Sequence, residues 1–313
     1  MTSSRHSELS SYDLESVVER ARAQGGGEVD RSVPALTSAD PDVFAVALAH
    51  LDGAVTSAGD AAVAFSLQSA VKPFLFALAL ADTGGDSIDR VGIEPTGESF
   101  DAIKLESGTG RPPNPMVNAG ALLTAALVHG EDVAARDERI LRGLSAFAGR
   151  SLAVDEEVAR DEHLMGDRNH ALAHLMRSEG TLDVTADDAV AVYARACAVL
   201  VDVEALAIMG ATLAAGGRNP VTGERVVSAD VARDVISVMA TCGVYDGSGR
   251  WMRSVGIPAK SGVSGALVLS VPGLLGAATI SPPLDERGTS VRGHVAADIL
   301  SAELGLHAFG RLP

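Results

Sequence analysis

The sequence predicts an α/β (α+β) protein in which one antiparallel sheet, flanked by helices, is built from both ends of the chain. Residues 43–58 have the pattern of two strands around the turn Asp52-Gly53, and residues 265–280 have the pattern of a second hairpin. Between them, residues 115–240 have mostly helical periodicity. Strands near both ends with helices between them predict a single sheet, with the helical block as a second lobe.

An amphipathic helix over residues 12–24 is the first predicted element. Ser10 or Ser11 is suited to cap its start, and the three glycines at 25–27 end it. The first hairpin follows, with strands predicted at Val43–Ala49 and Ala54–Ala58. This part of the chain is therefore expected to contribute the N-terminal strands of the sheet.

The next predicted helix extends through Ala81 and is apolar on all sides, which indicates that it is buried. Pro73 restricts where this helix begins, because the proline ring would clash with the carbonyl of residue 69 inside a helix. Ser69 is therefore expected at the very start, near the positive end of the helix, with Lys72 one turn along on the same face.

The remaining elements complete the two lobes. The predicted helices of the central block are Val117–His129, Asp137–Ala148, Asn169–Arg177, Ala186–Leu200, Val203–Ala215 and Ala229–Thr241. Strands at Gly265–Val271 and Leu274–Ile280 and a closing helix at Gly293–Leu306 follow. We expect one domain, residues 1–313, with an α/β lobe from about 1–110 and 242–313 and a helical lobe from about 111–241.

Composition limits the class of function. The net charge is −16 with no basic stripe, which argues against nucleic acid and against anionic membrane surfaces. The longest apolar run, from Pro73 to Ala81, is too short to span a bilayer, and the N-terminus lacks the apolar core of a signal peptide. Cys197 and Cys242 are too few for a framework of several disulfides, which predicts a reduced, cytoplasmic setting.

Lysine is rare in this chain. Only Lys72, Lys104 and Lys260 occur among the 25 basic residues, and the other 22 are arginine. Arginine supplies positive charge equally well but does not lose its proton near neutral pH, whereas a desolvated lysine can. Lysines that remain in distinctive motifs are therefore the first candidates for proton transfer.

Two such motifs are Ser69-x-x-Lys72 at a helix start and Lys260-Ser261-Gly262 ahead of a strand. The first alone is weak, because a capping serine and a surface lysine would give the same pattern. Together they form the signature of serine acyl-transfer enzymes of the penicillin-recognising fold. A serine is a poor nucleophile unless a base takes its proton, and burial favours the neutral form of a lysine. An N–H group at the helix start can stabilise the oxyanion.

Longer strings make the resemblance specific. From about Gly27 to Leu304, the chain resembles the serine-dependent glutaminases, a β-lactamase-like family that hydrolyses L-glutamine to L-glutamate and ammonia. The matching strings, in order, are FSLQS (65–69) with Lys72, NPMVNAGA (114–121), GDRN (166–169), CGVYD (242–246), VGIPAKSGV (255–263) and SPPLD (281–285). The resemblance implies a serine β-lactamase-like fold.

The resemblance also implies a role for each matching residue. Ser69 is the nucleophile, Lys72 its general base, and Tyr245 a proton relay beside both. The backbone N–H groups of Ser69 and Val263 form the oxyanion hole. The residues that hold the amino-acid end of glutamine are Asn118, Glu162, Asn169 and Tyr193. Glu162 is the candidate for the α-ammonium, and the supporting residues are Gln68, Lys260, Ser261 and Gly262.

One difference from the family pattern affects the pocket. Ser32 stands where the family usually has a tyrosine that lines the glutamine site, so the sequence does not fix the affinity for glutamine. Two other patterns favour structural interpretations. His170 and His174 are four residues apart on a helix, but no third ligand follows a zinc pattern. Gly108–Arg111 lacks the spacing and setting of a phosphate loop and predicts a plain turn.

The sequence therefore predicts a glutaminase that uses L-glutamine as its small-molecule partner and needs no metal or organic cofactor. The alternatives are a β-lactamase or peptidase on the same fold, and a catalytically silent paralogue that serves as a scaffold. The chain lacks the Ser-Asp-Asn and Tyr-x-Asn triplets of penicillin-recognising enzymes, and its Ser69, Lys72 and Tyr245 argue against a silent protein. The resemblance further implies a homo-oligomer, either a dimer or a tetramer.

Overall fold

The main sheet is built from both ends of the chain, as predicted. The computed structural model describes residues 11–97 and 102–310. Its strands, in chain order, are β1 (Ala45–His50), β2 (Val55–Gly59), β3 (Phe65–Ser66), β4 (Ala153–Val154), β5 (Val199–Val201), β6 (Ala259–Ser261), β7 (Ala266–Val271) and β8 (Leu275–Ile280). Five of them form an antiparallel sheet of order β2-β1-β8-β7-β6, in which β1 pairs with β8 and so joins the two hairpins.

Helices occupy both faces of this sheet and the region between residues 118 and 242. They are α1 (Leu14–Arg22), α2 (Lys72–Thr83), α3 (Ser87–Arg90), α4 (Asn118–Leu127), α5 (Val133–Ala148), α6 (Glu156–Leu164), α7 (Asp167–Ser178), α8 (Ala186–Cys197), α9 (Val203–Ala214), α10 (Ala229–Cys242), α11 (Ser248–Ser254) and α12 (Val291–Glu303). Within residues 11–97 and 102–310, no helix combines the length and the apolar character needed to cross a membrane.

The strands alternate their side chains between two apolar layers. Val46 and Leu48 of β1 belong to the layer formed with α1 and α12. Ala45 and Ala47 point the other way, into the layer that contains α2 and α9. A Cβ atom on Gly276 of β8 would lie only 2.1 Å from a backbone nitrogen of α9. The absence of a side chain there lets α9 lie directly on the sheet.

A second, smaller sheet positions the chain that leads to Ser69. Its order is β3-β5-β4, and β3 pairs with β5 antiparallel. The N–H of Leu67 donates to the carbonyl of Val199 at 2.9 Å, which extends this pairing beyond β3. Just before it reaches Ser69, the chain is therefore held by β5, a strand that lies between helices of the central region.

The predicted cap of the first helix is wrong. Asp13 caps α1, because its side chain accepts hydrogen bonds from the N–H groups of Glu15 and Ser16. Ser11 precedes this cap, and Ser10 lies outside the described residues. The negative charge of a carboxylate at this position also interacts favourably with the positive N-terminal end of the helix dipole.

Two helix predictions in the central region also differ from the structure. α5 begins at Val133 rather than at residue 137, because Asp132 accepts a hydrogen bond from Ala135 and caps the helix earlier. The sequence pattern does not predict α6, which follows the cap Asp155. Its mean character is polar, and only Val158 and Ala159 are buried, so its apolar periodicity is weak.

The predicted helix through Leu200 is wrong at its C-terminal end, since α8 ends at Cys197 and residues 199–201 form β5. β5 is the central strand of the smaller sheet and pairs with both β3 and β4. Val199 and Val201 are β-branched, which suits a strand. The strands that pair with β5 are distant in sequence. The sequence around residues 199–201 therefore shows only the helical periodicity that continues from α8.

Candidate active site

Ser69 lies in a short 3-10 turn that leads directly into the buried helix α2. The turn covers Gln68–Val71, and α2 begins at Lys72. Side chains at i and i+3 eclipse in a 3-10 turn, so this geometry brings Ser69 and Lys72 to the same side. Ser69 is 7% exposed and Lys72 is fully buried. A serine that faces a cavity thus has a buried lysine beneath it.

The backbone before Ser69 is strained. Gln68 adopts a φ of +48°, in the left-handed region that residues with a side chain rarely occupy. Such conformations cost about 1–3 kcal/mol and persist where the surrounding structure enforces them, often at functional sites. Here the flanking β3 and α2 hold the turn and direct Ser69 into the cavity.

Lys72 is the first member of a hydrogen-bonded chain of polar side chains. Its Nζ donates to Oδ1 of Asn118 at 2.7 Å, and Nδ2 of Asn118 donates to Oδ1 of Asn169 at 3.0 Å. Asn118 is the first residue of α4, and Asn169 lies in the first turn of α7. Three helices are therefore linked at one polar centre, which joins the expected base to the expected substrate-binding residues.

Tyr245 is distant from Ser69 in sequence but forms a hydrogen bond with it in the structure. Its hydroxyl donates to the carbonyl of Ser261 at 3.2 Å, and its φ of +49° is the second strained position of this region. Burial raises the pKa of Tyr245 to about 12, while hydrogen bonds with Ser261 and Ser69 act in the opposite direction. The phenol is therefore protonated at neutral pH, and it donates its one hydrogen to Ser261 while its oxygen forms a hydrogen bond with Ser69.

Lys260 supports Tyr245 from behind. Its Nζ lies 4.2 Å from the centre of the Tyr245 ring and donates to the carbonyl of Ser261 at 2.7 Å. Burial lowers the pKa of Lys260 well below its ordinary value, and the charge of Lys72 lowers it further. The expected electrostatic support is thus weakened, whereas the contacts with the ring and with Ser261 remain.

The position predicted for the Lys260-Ser261-Gly262 motif is wrong in one respect. Lys260 and Ser261 are the last two residues of β6, and the motif does not lie ahead of the strand. The next strand, β7, begins at Ala266. β6 is only three residues long and lies at the edge of the sheet, which gives too short a pattern to recognise in the sequence.

Gly262 brings the turn after β6 against the turn that carries Ser69. A Cβ atom on Gly262 would lie 2.8 Å from the carbonyl oxygen of Leu67 and 3.1 Å from the nitrogen of Ala70. A larger residue would therefore push the two turns apart. Val263 follows and lines the same cavity as Ser69. The two backbone N–H groups predicted for the oxyanion hole belong to turns that are in direct contact.

A cavity of about 280 Å³ contains most of the predicted substrate-binding residues. Those that line it are Gln68, Ser69, Asn118, Glu162, Asn169, Tyr193 and Val263. Tyr245 lines an adjoining wider cavity of about 1060 Å³, and the two cavities share Asp30 and Val263. The structure thus brings the predicted residues to one place from both halves of the chain.

Glu162 is a cavity residue whose charge is sensitive to pH. Burial raises its pKa to about 7, a hydrogen bond from Gln68 lowers it, and the nearby charge of Asp30 raises it. Burial also raises the pKa of Tyr193 well above its ordinary value, and Cys197 adds to this effect. Tyr193 therefore remains a neutral donor, and Glu162 gains or loses its charge near neutral pH.

Asp30 is a cavity residue that the sequence analysis misses. It accepts hydrogen bonds from the backbone N–H of Ser32 at 2.9 Å and from the Ser32 hydroxyl at 2.6 Å. Ser32 itself lines the cavity, as expected, so its hydroxyl is oriented by a carboxylate. An aspartate two residues before a serine is a common turn pattern, which was the only available signal. Asp161 and Arg168 also line the cavity and were not singled out.

Comparison with known proteins shows which family the chain resembles over most of its length. A sequence model of the family described as Glutaminase matches residues 27–309. The chain is 70% identical over 305 residues to a glutaminase of Clavibacter michiganensis subsp. michiganensis, which covers 97% of this chain and 94% of the relative. It is 45% identical over 284 residues to a glutaminase of Nostoc sp., which covers 90% of this chain and 85% of the relative.

Solved structures with the same fold were also found. The crystal structure of Mglu in its native form has a TM-score of 0.92 and 46% identity, and the match covers 96% of this chain and 73% of that chain. Mglu in its glutamate form matches with the same TM-score and identity over 96% of this chain and 70% of that chain. The probable glutaminase YbaS has a TM-score of 0.91 and 40% identity, with 95% and 98% of the two chains covered.

Proposed function

The chain belongs to the glutaminase family, and we propose that it hydrolyses L-glutamine to L-glutamate and ammonia through an acyl-enzyme on Ser69. The observation that carries the mechanism is the 3-10 turn that places Ser69 at the cavity with the fully buried Lys72 on the same side. Lys72 is the general base, and Tyr245 relays protons. Neither step uses a metal or an organic cofactor.

In the first half-reaction, Lys72 takes the proton of the Ser69 hydroxyl, and Oγ attacks the side-chain amide carbon of glutamine. The N–H groups of Ser69 and Val263 stabilise the negative oxygen of the tetrahedral intermediate. The carbon–nitrogen bond then breaks, and the proton held by Lys72 returns to the departing nitrogen. Tyr245, which is hydrogen-bonded with Ser69, takes part in this transfer as the proton relay. Ammonia leaves, and the glutamyl group remains on Ser69.

In the second half-reaction, water repeats these steps in reverse. Lys72 takes a proton from the water, and the resulting hydroxide attacks the ester carbonyl. The bond from the carbon to Oγ breaks, and the proton returns from Lys72 to Ser69. One glutamate is released per ammonia, and the enzyme regains its starting protonation state.

We assign recognition of the amino-acid end of glutamine to cavity residues other than Ser69. The carboxylate of Glu162 pairs with the α-ammonium, and the neutral donors Asn118, Asn169 and Tyr193 serve the α-carboxylate. Asp30 adds negative charge near Glu162. A structure of Mglu, to which this chain is similar, is described as a glutamate form, and glutamate is the product expected of the proposed reaction.

The test of this function is a comparison of two substrates on purified protein. Ammonia release is measured with L-glutamine, and ring opening is measured with a chromogenic cephalosporin. A glutaminase releases ammonia and leaves the cephalosporin intact. Cephalosporin hydrolysis without ammonia release would favour the β-lactamase alternative, and no turnover of either substrate would favour a silent scaffold protein.

We also propose three features of the whole protein. It forms a single domain whose sheet lobe and helical lobe meet at Ser69. It functions in a reducing, cytoplasmic compartment, which the two buried free thiols of Cys197 and Cys242 support. It assembles into a homodimer or homotetramer, an expectation that rests on the resemblance to its family. Sedimentation of the purified protein measures the assembly directly.

A further inference from the structure

Three side chains from three helices meet outside the glutamine cavity. They are His163 in α6, His170 in α7 and Asp187 in the first turn of α8. One ring nitrogen of each histidine and one carboxylate oxygen of Asp187 all lie within 4.8 Å of one another. The two imidazole rings are 5.4 Å apart and nearly perpendicular. None of the three lines the cavity that contains Ser69.

The distances fit a small transition-metal ion. Zinc binds histidine nitrogen and carboxylate oxygen at about 2.0–2.2 Å, so neighbouring ligand atoms of a tetrahedral site lie about 3.3–3.6 Å apart. His163 Nε2 and Asp187 Oδ1 are 3.3 Å apart, which matches one edge of such a tetrahedron. The ligand atoms of the other two pairs would need to approach each other by little more than about 1 Å. Rotation of the side chains is enough for such a movement.

The surroundings of His170 also suit a metal ligand. Its Nε2 lies 3.2 Å from the backbone oxygen of His163. A neutral His170 that donates its N–H there keeps a lone pair on Nδ1. Histidine ligands commonly donate their second ring N–H to a carbonyl or a carboxylate, which fixes the tautomer. The contact is thus of the kind that orients a ligand.

We propose that His163, His170 and Asp187 form a binding site for a divalent transition-metal ion such as Zn²⁺. The imidazole and carboxylate ligands favour zinc, copper or nickel over calcium or magnesium. Asp187 is exposed, so a fourth position is open to water. The site lies outside the glutamine cavity and does not depend on the proposed mechanism.

The metal would join the helices that carry the substrate-binding residues. His163 follows Glu162 directly, His170 follows Asn169 directly, and Asp187 is on the same helix as Tyr193. An ion bound by all three ligands would hold α6, α7 and α8 together. It stabilises the folded protein because the ligands converge only in the folded state. Its role is therefore structural, outside the cavity and within the helices that carry those residues.

Chain spacing suggests a different pair of ligands, which provides a matched control. His174 lies four residues after His170 on α7 and is exposed, but it is not part of the cluster. Histidines four residues apart lie on one face of a helix, which is the spacing of two zinc ligands in known motifs. Removal of His174 therefore distinguishes a site on one helix from a site built by three helices.

The experiment uses full-length protein without a histidine tag. Zinc binding is measured by equilibrium dialysis, and the thermal midpoint is measured with and without zinc. The variants are His163→Gln, His170→Gln and Asp187→Asn, with His174→Gln as the control. We expect one zinc per wild-type chain, a higher midpoint with zinc, and an affinity at least about tenfold weaker in each cluster variant. His174→Gln should behave like the wild type.

Three outcomes would overturn the proposal. They are no saturable zinc binding to the wild type, equal binding by wild type and Asp187→Asn, and loss of binding in His174→Gln without loss in His163→Gln. The midpoint of each variant without zinc serves as the folding control. If His163→Gln fails to fold, Asp187→Asn decides the result, because Asp187 is exposed. The measurement needs no glutamine, so it is independent of the catalytic assignment.

Discussion

Lys72 donates a hydrogen bond from Nζ to Oδ1 of Asn118 over 2.7 Å. Asn118 in turn donates to Asn169, so the lysine expected to act as a base is held by the same residues that are expected to hold the substrate. The amide oxygen of Asn118 therefore fixes the position of Nζ beneath the turn that carries Ser69.

Lys72→Arg should therefore be nearly as inactive as Lys72→Ala. Arginine keeps the positive charge but cannot accept a proton near neutral pH. We expect kcat to fall by about 10²–10⁴-fold in both variants, the usual contribution of a positioned general base. Ammonia release under saturating glutamine measures this, with circular dichroism as the folding control. An arginine variant with substantial activity would mean that Lys72 acts only through its charge.

The pKa of Glu162 near 7 predicts that glutamine binding depends on pH. Below this pH the side chain is protonated and cannot pair with the α-ammonium, so KM should rise as the pH falls through 7 and level off above it. At one pH unit below the pKa only about a tenth of the carboxyl is ionised, which predicts a KM roughly tenfold higher. The measurement uses a chelator, so that no metal at His163 contributes.

Glu162→Gln is the control for that experiment. It should remove the pH dependence of KM and weaken glutamine binding by about 2–5 kcal/mol, the range for loss of one partner of a buried charge pair. Rejection of an analogue without the α-amino group should weaken as well. If the variant rejects that analogue as strongly as the wild type does, Glu162 does not bind the ammonium.

The same substitution should stabilise the protein at alkaline pH. The folded-state pKa of Glu162 is about 7 and the ordinary value is 4.5, so the folded protein holds this proton more tightly than the unfolded chain. Ionisation of Glu162 therefore lowers the free energy of unfolding. This loss is absent below pH 4.5, grows as the pH rises to 7 and is complete above it. At about 1.4 kcal/mol per unit, Glu162→Gln should raise the free energy of unfolding by up to about 3 kcal/mol at alkaline pH.

Urea unfolding near pH 5 and near pH 8 tests this effect. The gain should be small at the acidic pH and larger at the alkaline one, because only the charged carboxyl is penalised by burial. An equal effect at both values would mean that the substitution acts through packing and not through charge.

Ser32→Tyr should strengthen glutamine binding. Ser32 lines the cavity, and its hydroxyl is engaged by Asp30 rather than directed at substrate. A phenol that reaches the substrate adds one neutral hydrogen bond, worth about 0.5–1.5 kcal/mol, which lowers KM by roughly two- to twelvefold. Ser32→Phe is the matched control, since it adds the ring without the hydroxyl. An unchanged KM in Ser32→Tyr would show that the ring does not reach the substrate.

Much of the fold and site follows from the sequence because the signals are local. Pro73 restricts where the buried helix can begin: α2 begins at Lys72, and Ser69 lies in the 3-10 turn just before it. The two hairpins have strong turn and strand patterns, and both belong to the main sheet. The polar side chains of the cavity occur in short strings of rare residues, which made the family resemblance specific.

The remaining features depend on contacts between distant parts of the chain. β5 looks helical in sequence and becomes a strand because β3 and β4 pair with it. Asp30 gains its importance from the approach of Glu162, which is distant in sequence. The cluster of His163, His170 and Asp187 comes from three helices, so no spacing rule identifies it.

Ammonia release by Ser69→Ala tests the central claim most directly. The variant is purified from a host without its own glutaminase and compared with the wild type at saturating L-glutamine. The account predicts that activity falls by at least about a thousandfold while folding and glutamine binding persist, because only the nucleophile is removed. Activity above about a tenth of the wild-type value in a folded variant would contradict an acyl-enzyme on Ser69.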